Sequence, residues 1–468
     1  MRGRSADPRE GTARARRAAG APTPRTGGGR TPSPMSLEDP GSLRSGDPGA
    51  GARGRQASGK SGMTGERSDF ETIRRAGLEV ARRLIEAGHE TYFAGGCVRD
   101  RLFGLTPTDV DVATAATPDV VRSIFPRARG VGASFGVMLV SRSGCDIEVA
   151  TFRSDFAYED GRRPGRVRYG TASEDARRRD FTINGLFEVP SDGRIVDLVG
   201  GRADIESRIL RAIGDPEDRF EEDRLRMLRG VRFAARFDLE IDPATEAAIT
   251  ARAARLAGVS RERVGQELRR MLADRGRTRA AEMVESTKLD RTVLAVDRTV
   301  GSTGLPRLAA MPATAPWIDA LAAWELDRGT TGDSVDRLAG ALVLSNEEIS
   351  ALEGILRTRR LLLDTWATRG VAARKRLAST PWFSRGCDLL ATEDVRFVES
   401  IRRETEELRL TGLAPEPFLT GEDLKSIGLV PGPAFGRILA EVYDAQLEGR
   451  VGDREAAFAL ARESAAGE

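Results

Sequence analysis

Read from its amino end, the chain carries almost no large apolar residue until Phe70. Residues 1–65 are rich in Arg, Gly, Pro, Ser and Ala, and such a segment buries too little surface to offset its ordering entropy. It reads as a disordered basic tail. A transit peptide is the second reading, although proline and glycine interrupt any amphipathic helix there and acids are present. Translation starting at Met63 is a third. From Phe70 the pattern becomes periodic: Phe70, Ile73, Leu78, Ala81 and Ile85 recur at helical spacing. Thr91–Ala94 then reads as a short buried strand ended by Gly95-Gly96, and Val98–Phe103 as a helix. Asp109–Ala113 is a second predicted strand. Thr117 and Pro118 look like an N-cap followed by proline at the first helical position. Val137–Val140 and Ile147–Thr151 read as a hairpin around Ser143-Gly144. Beyond about residue 200, with the usual boundary error, nearly everything is helical, without internal repeats or heptads. The expected fold class is α+β: a small mixed α/β domain followed by helices.

Composition narrows the chemistry. At 468 residues the chain accommodates several domains, and 40% hydrophobic with 31% charged residues is a globular balance. Lys+Arg 73 against Asp+Glu 71 gives a net charge of only +2, so any basic surface is offset by acidic surface elsewhere. The single histidine, His89, argues against a histidine-centred hydrolase or zinc site. Cys97, Cys145 and Cys387 are widely separated, with no metal spacing, and suit a reducing, cytoplasmic setting. No apolar run reaches the length of a membrane span.

Two carboxylates carry the chemistry. Asp109 and Asp111 are one residue apart on a predicted strand, so alternation puts both on one face, with Val110 and Val112 on the other. Paired carboxylates repel unless a cation joins them, and oxygen donors in this arrangement suit Mg²⁺ shared with substrate phosphates. Glu148 lies on a neighbouring predicted strand as a third carboxylate for two-metal phosphoryl transfer. Asp146 shares its face, and the spacing does not choose between them. An acidic strand edge that only resists aggregation is the bland reading of the same residues. Gly95-Gly96, between a strand and a helix, allows backbone N–H groups to approach a phosphate, or else makes an ordinary tight turn. Arg178-Arg179 precedes an apolar stretch, Phe181–Leu186, that reads as a helix entering the core. Arg179 and Asp180 would sit at its mouth, with Asn184 one turn on, within reach of phosphate or metal. Asp223 and Arg226, three apart on a predicted helix, would share a face.

The segment Gly95–Gly104 (GGCVRDRLFG) followed by Asp109-Val-Asp111 resembles the first motif of class II tRNA nucleotidyltransferases and bacterial poly(A) polymerases. Four further segments follow in the family's order. Arg178–Asn184 (RRDFTIN) resembles the ribose- and triphosphate-reading motif. Asp197–Gly201 (DLVGG) resembles the hinge between head and neck. Glu222–Arg226 (EDRLR) resembles the base-reading element, and Glu262–Glu267 (ERVGQE) the element that braces it. Phe418–Leu424 through Gln446 resembles the C-terminal region that holds tRNA.

The resemblance implies a nucleotidyltransferase head over 66–200, a helical neck with base recognition over 201–285, a helical body over 286–400 and a tRNA-binding tail over 401–468. It implies catalysis by Asp109, Asp111 and Glu148, with Asp109 and Asp111 holding two Mg²⁺ ions. Gly95, Gly96, Arg99, Asp100, Arg179, Asp180, Asn184, Asp223, Arg226 and Arg229 would bind the nucleotide. The expected partners are CTP, ATP and a tRNA 3′ end, and the expected reaction is CCA addition. Poly(A) addition, A-only addition and a non-catalytic RNA-binding protein are the alternatives. A carboxylate accepts from the exocyclic amine of cytosine or adenine, and a guanidinium donates to ring acceptors. Uracil and guanine present a carbonyl where that amine should be, so an Asp223–Arg226 pair selects C and A without a template. The polar segment Tyr158–Arg166 matches the family's flexible loop needed for the final A, or is a plain linker. The basic runs at Arg261–Arg263 and Arg357–Arg360 are RNA contacts or exposed helix faces in equal measure.

Overall fold

The computed structural model describes residues 63–132, 136–158, 164–297, 303–329 and 334–466. The expected tail, 1–65, therefore lies outside the described residues except for its last three. The tip of the expected flexible loop, 159–163, also lies outside them, as do residues 133–135.

The first helix, α1 (Met63–Glu86), buries Ala76, Val80 and Leu84 completely, a four-residue spacing along one stripe. Ile85, expected on that stripe, lies one step round and is exposed, whereas Phe70, Ile73 and Leu78 flank the core. Then come β1 (Thr91–Ala94), α2 (Gly96–Leu102), β2 (Asp111–Thr114), α3 (Pro118–Ile124), β3 (Arg129–Gly132), β4 (Val137–Arg142) and β5 (Cys145–Thr151). Thr117 is the N-cap of α3 and Pro118 its first residue, although the threonine hydroxyl makes no capping bond. Ser143 and Gly144 join β4 to β5 with φ of 51° and 79°, the backbone twist that a two-residue hairpin needs. A ribbon follows, β6 (Arg153–Tyr158) paired with β7 (Pro164–Tyr169), then α4 (Ala172–Arg177), β8 (Leu186–Glu188) and β9 (Ile195–Asp197).

Among the described residues the main sheet has seven strands in the order β3-β4-β5-β2-β1-β8-β9. It is mixed, because β2 and β5 run parallel while β1 pairs antiparallel with both β2 and β8. Val112, Val140, Ile147 and Val149 point to the face that α1 and α3 cover. Alternation turns Asp111 and Glu148 to the opposite face, beside Ala94, Ala113 and Phe187.

Among the described residues the rest is helical, apart from a two-residue strand pair at 209–210 and 240–241. The helices α5 (Gly201–Glu206), α6 (Pro216–Glu222), α7 (Leu225–Phe237), α8 (Pro243–Arg252) and α9 (Arg261–Leu272) lead into longer helices such as Asn346–Thr365. One hydrophobic core runs from Phe181 through α7 and α9 to Leu389, so the expected neck and body share it. A separate cluster, Leu419 to Ala461, packs the C-terminal helices. Gln446 fastens that region by accepting from the Phe418 backbone N–H at 3.0 Å. Phe103 at the end of α2 stacks on Phe237 of α7 with centroids 4.5 Å apart, which docks the sheet domain on the helices. Among the described residues no helix is long and apolar enough to cross a membrane.

Candidate active site

The carboxylates come first because the sheet fixes them. Asp111 opens β2 and stands in parallel register with Glu148 of β5. Asp109 lies just before the strand rather than on it. β1 ends at Ala94, the antiparallel partner of Asp111, and Gly95 turns away, so residues 109 and 110 have no ladder partner on that side. The alternation still holds through them, since Val110 is buried and Asp109 exposed. Burial, then the charges of Asp109 and Glu148, push the Asp111 carboxyl up to about 7 against the pull of Arg179. Asp146 faces a different neighbourhood: Arg129 donates to it at 3.3 Å, and the Ser141 hydroxyl also bonds it. Glu148, not Asp146, is thus the carboxylate beside Asp111. Among the described residues no three His, Cys, Asp or Glu side chains form a ready-made metal cage. The donor set fits Mg²⁺ held by one or two carboxylates and completed by phosphates and water.

Gly95 connects the carboxylates to a cleft of about 350 Å³. Its φ is +71°, and a Cβ there would stand 3.3 Å from Arg179 Nη1 and 3.6 Å from Asp111 Oδ2. The cleft is lined by Gly95, Gly96 and Asn184, by five arginines (99, 178, 179, 226 and 229), and by two aspartates, Asp180 and Asp223. That positive excess suits a polyanion.

Several expected ligands are tied to one another. Asp180 Oδ1 accepts from the Asn184 amide at 2.8 Å and from the Phe181 backbone N–H at 2.9 Å. Its Oδ2 accepts from Arg229. Burial alone would raise the Asp180 carboxyl; Arg229 and the Asn184 amide outweigh it and hold it at about 2. Asn184 in turn accepts from Arg99 Nη1 at 2.6 Å, and Arg99 lies over the rings of Phe233 and Phe237. Asp100, expected at the nucleotide, is not among the lining residues. Its oxygens face Arg99 at 2.7 Å and Arg236 at 3.1 Å, behind the cleft. Phe181–Leu186 is not the expected helix either. A single 3₁₀ turn, Thr182–Asn184, leads directly into β8.

Asp223 and Arg226 both line the cleft, but not from one helix. Asp223 is the extended residue between α6 and α7, where its Oδ1 accepts from the Leu225 backbone N–H at 3.1 Å. Aspartate competes with helical hydrogen bonding in this way, which is why the helix breaks there. Asp223 Oδ2 accepts from Arg263 of α9 at 2.7 Å. Arg226, in the first turn of α7, donates to Glu222 at 2.6 Å and to the Arg178 carbonyl at 3.1 Å. The basic runs are used inside the fold as well: Arg261 caps the Thr292 carbonyl, and Arg359 pairs with Glu393.

The hinge-like motif has a local cause. Asp197 accepts from the backbone N–H groups of Val199, Gly200, Gly201 and Arg202, which folds the chain into α5. A Cβ on Gly201 would stand 2.2 Å from the Thr182 carbonyl oxygen, so the contact between this turn and the floor of the cleft requires glycine. Asp175, on α4, is the residue that sequence reasoning missed. It holds both Arg178 and Arg179, and its only sequence signal is the spacing of three and four to those arginines.

Comparison with known proteins shows the family. Residues 91–211 match the Poly A polymerase head domain family, and residues 238–294 match the family described as a probable RNA and SrmB-binding site of polymerase A. The CCA-adding enzyme of Lacticaseibacillus paracasei is 34% identical over 370 residues, 79% of this chain and 90% of that protein. The CCA-adding enzyme of Bacillus subtilis is 43% identical over 213 residues, 45% of this chain and 53% of that protein. The crystal structure of Bacillus stearothermophilus CCA-adding enzyme in complex with CTP has a TM-score of 0.70 at 28% identity, over 84% of this chain and 98% of that one. The 34% identity to the Lacticaseibacillus paracasei protein, sustained over nine-tenths of its length, makes this chain a member of the CCA-adding enzyme family.

Proposed function

We propose that this chain adds C, C and A in turn to the 3′ end of tRNA from CTP and ATP, releasing pyrophosphate, without a nucleic-acid template. The observation that carries the reading is the cleft itself, where five arginines converge and Gly95 brings the backbone against Asp111. A terminal 3′ hydroxyl attacks the α-phosphorus, a new phosphodiester forms, and the bond to pyrophosphate breaks. Asp109 and Asp111 would hold two Mg²⁺ ions, with Glu148 assisting. When bound, Mg²⁺ supplies acidification of the attacking hydroxyl and neutralises charge on the departing pyrophosphate.

The chain's own groups do the rest. Arg178 and Arg179 hold the triphosphate, and the open backbone at Gly95 and Gly96 admits it. Asp180, through Arg229, and Asn184, through Arg99, fix the pocket wall. Asp223 accepts from the exocyclic amine and Arg226 donates to a ring acceptor, which admits cytosine and adenine and refuses uracil and guanine. Arg263 orients Asp223. The helices from residue 401 on are assigned to holding the tRNA body. Three free cysteines, two of them buried, support a reducing, cytoplasmic setting.

The test is one gel. Purified protein is incubated with a tRNA lacking its last three nucleotides and with CTP, ATP or both. Two nucleotides should be added with CTP alone and three with both. Long A tracts on an unstructured oligonucleotide, with poor CTP use on the tRNA, would make the protein a poly(A) polymerase instead.

A further inference from the structure

One buried carboxylate outside the motifs holds two arginines of the cleft. Asp175 is 1% exposed, on the short helix α4. Its Oδ1 accepts from Arg178 Nε and Nη2 at 2.9 and 2.7 Å. Its Oδ2 accepts from Arg179 Nε and Nη2 at 3.2 and 2.9 Å. Each oxygen is therefore forked by one guanidinium. A further contact, at 3.4 Å, comes to Oδ1 from the backbone N–H of Arg153, the first residue of β6. Burial on its own raises the Asp175 carboxyl, and the charges of Arg179 and Arg178 more than reverse that, so it stays ionised.

α4 is itself placed with care. The Thr171 hydroxyl accepts from the Glu174 backbone N–H, and the Glu174 carboxylate accepts from the Thr171 backbone N–H. The Gly170 backbone N–H bonds the Phe152 carbonyl at 2.9 Å, which closes the base of the β6–β7 ribbon on the same spot.

We infer that Asp175 is a positioning residue: it fixes the guanidiniums of Arg178 and Arg179 toward the triphosphate and anchors both to the base of the β6–β7 ribbon. This rests on the reading that the cleft binds a nucleoside triphosphate. Arginine loses much rotamer freedom when it binds, and a partner that holds the fork in advance removes that loss from the binding step. Asp175 touches no substrate. Its effect passes through the two arginines, so it falls on the phosphates and not on the base.

The experiment compares CTP with cytidine on the full chain. Steady-state KM and kcat for CTP, KM for tRNA, and inhibition by cytidine are measured for wild type, Asp175→Asn, Asp175→Glu, Arg178→Ala and Arg179→Ala. Asp175→Asn should raise KM for CTP roughly 10- to 100-fold, the range seen when a supporting hydrogen-bond partner is lost. Cytidine inhibition and KM for tRNA should stay within about twofold of wild type. Asp175→Glu keeps the charge and should show the same selective loss at smaller size, so it decides the matter where the Asn variant is poorly folded. Equal weakening of CTP and cytidine, or an unchanged KM for CTP in a folded variant, would show a merely structural role. An unchanged KM for CTP in both arginine variants would overturn the inference whatever the Asp175 variants do. A wild-type protein with no measurable CTP use would instead overturn the underlying functional reading.

Discussion

Arg229 and Asp180 stand 49 residues apart and meet through two hydrogen bonds, Nε and Nη2 to the single oxygen Oδ2, at 2.9 and 2.7 Å. The pair joins the segment that follows α4 to helix α7, and both residues line the cleft. Arg229→Ala should leave a nearly buried carboxylate without its cation. The expected cost is about 2 to 4 kcal/mol, at or just below the range for breaking a fully buried pair because Arg229 is partly exposed. Arg229→Lys, with one point charge in place of a fork, should fall between. Denaturant midpoints with unchanged slopes check this, and a loss under about 0.5 kcal/mol would mean that the pair does not hold the two segments together.

The same aspartate sets a pH dependence. Its carboxyl is held at about 2 in the fold, below the unfolded value of about 3.9. A depressed folded pKa contributes stability above the unfolded pKa, and that contribution fades as pH falls from about 4 toward 2. Asp180→Asn should therefore be less stable than wild type at pH 6, and the gap should close on acidification through that window. A gap that is constant with pH would contradict the assignment.

How far the sequence led depends on the range of each interaction. Alternation across Asp109-Val-Asp111 needs no tertiary information, and it put the two carboxylates on one face even though the strand proper begins at Asp111. The hairpin at Ser143-Gly144 was legible for the same reason. The cleft's wiring was not. Asp223 meets Arg263 across 40 residues and Asp180 meets Arg229 across 49, and no local pattern announces either. Asp223 was misplaced on a helix because spacing by three also fits two residues on either side of a helix break. Asp100 was expected at the nucleotide because it stands in the first motif, yet Arg99 and Arg236 draw its carboxylate behind the cleft.

The metal assignment separates carboxylates that the sequence left equivalent. Asp109→Ala and Asp111→Ala should each lower kcat by on the order of 10² to 10³ or more, while the fold is kept. Asp146→Ala should stay within about twofold of wild type, since its partners Arg129 and Ser141 lie on the exposed surface. Mg²⁺ titration of nucleotide addition, after stripping with chelator, reads each case. A strong Mg²⁺ defect in Asp146→Ala, with none in Glu148→Ala, would reverse the choice.

Gly95 and Gly88 both have positive φ, +71° and +86°, but nothing lies within 4 Å of a Cβ at Gly88. Gly88→Ala should show the backbone cost alone, about 1 to 3 kcal/mol at most. Gly95→Ala should lose similar stability and, in addition, about 10² in kcat/KM, because its methyl group crowds Arg179 Nη1 at 3.3 Å and fills the space beside Asp111. Equal activity in the two variants would show that the close approach at Gly95 is not functional.

The most direct test of the account is nucleotide choice at the cleft wall. Asp223 and Arg226 are proposed to read the base, so Asp223→Ala and Arg226→Ala should relax discrimination more than they weaken RNA binding. Incorporation from each of CTP, ATP, UTP and GTP onto a trimmed tRNA, with the Kd for that tRNA measured in parallel, gives both quantities. The preference for CTP and ATP over UTP and GTP is expected to fall about 5- to 150-fold, the effect of one lost base contact of about 1 to 3 kcal/mol, with the Kd for tRNA little changed. Full rejection of UTP and GTP by both variants would contradict it.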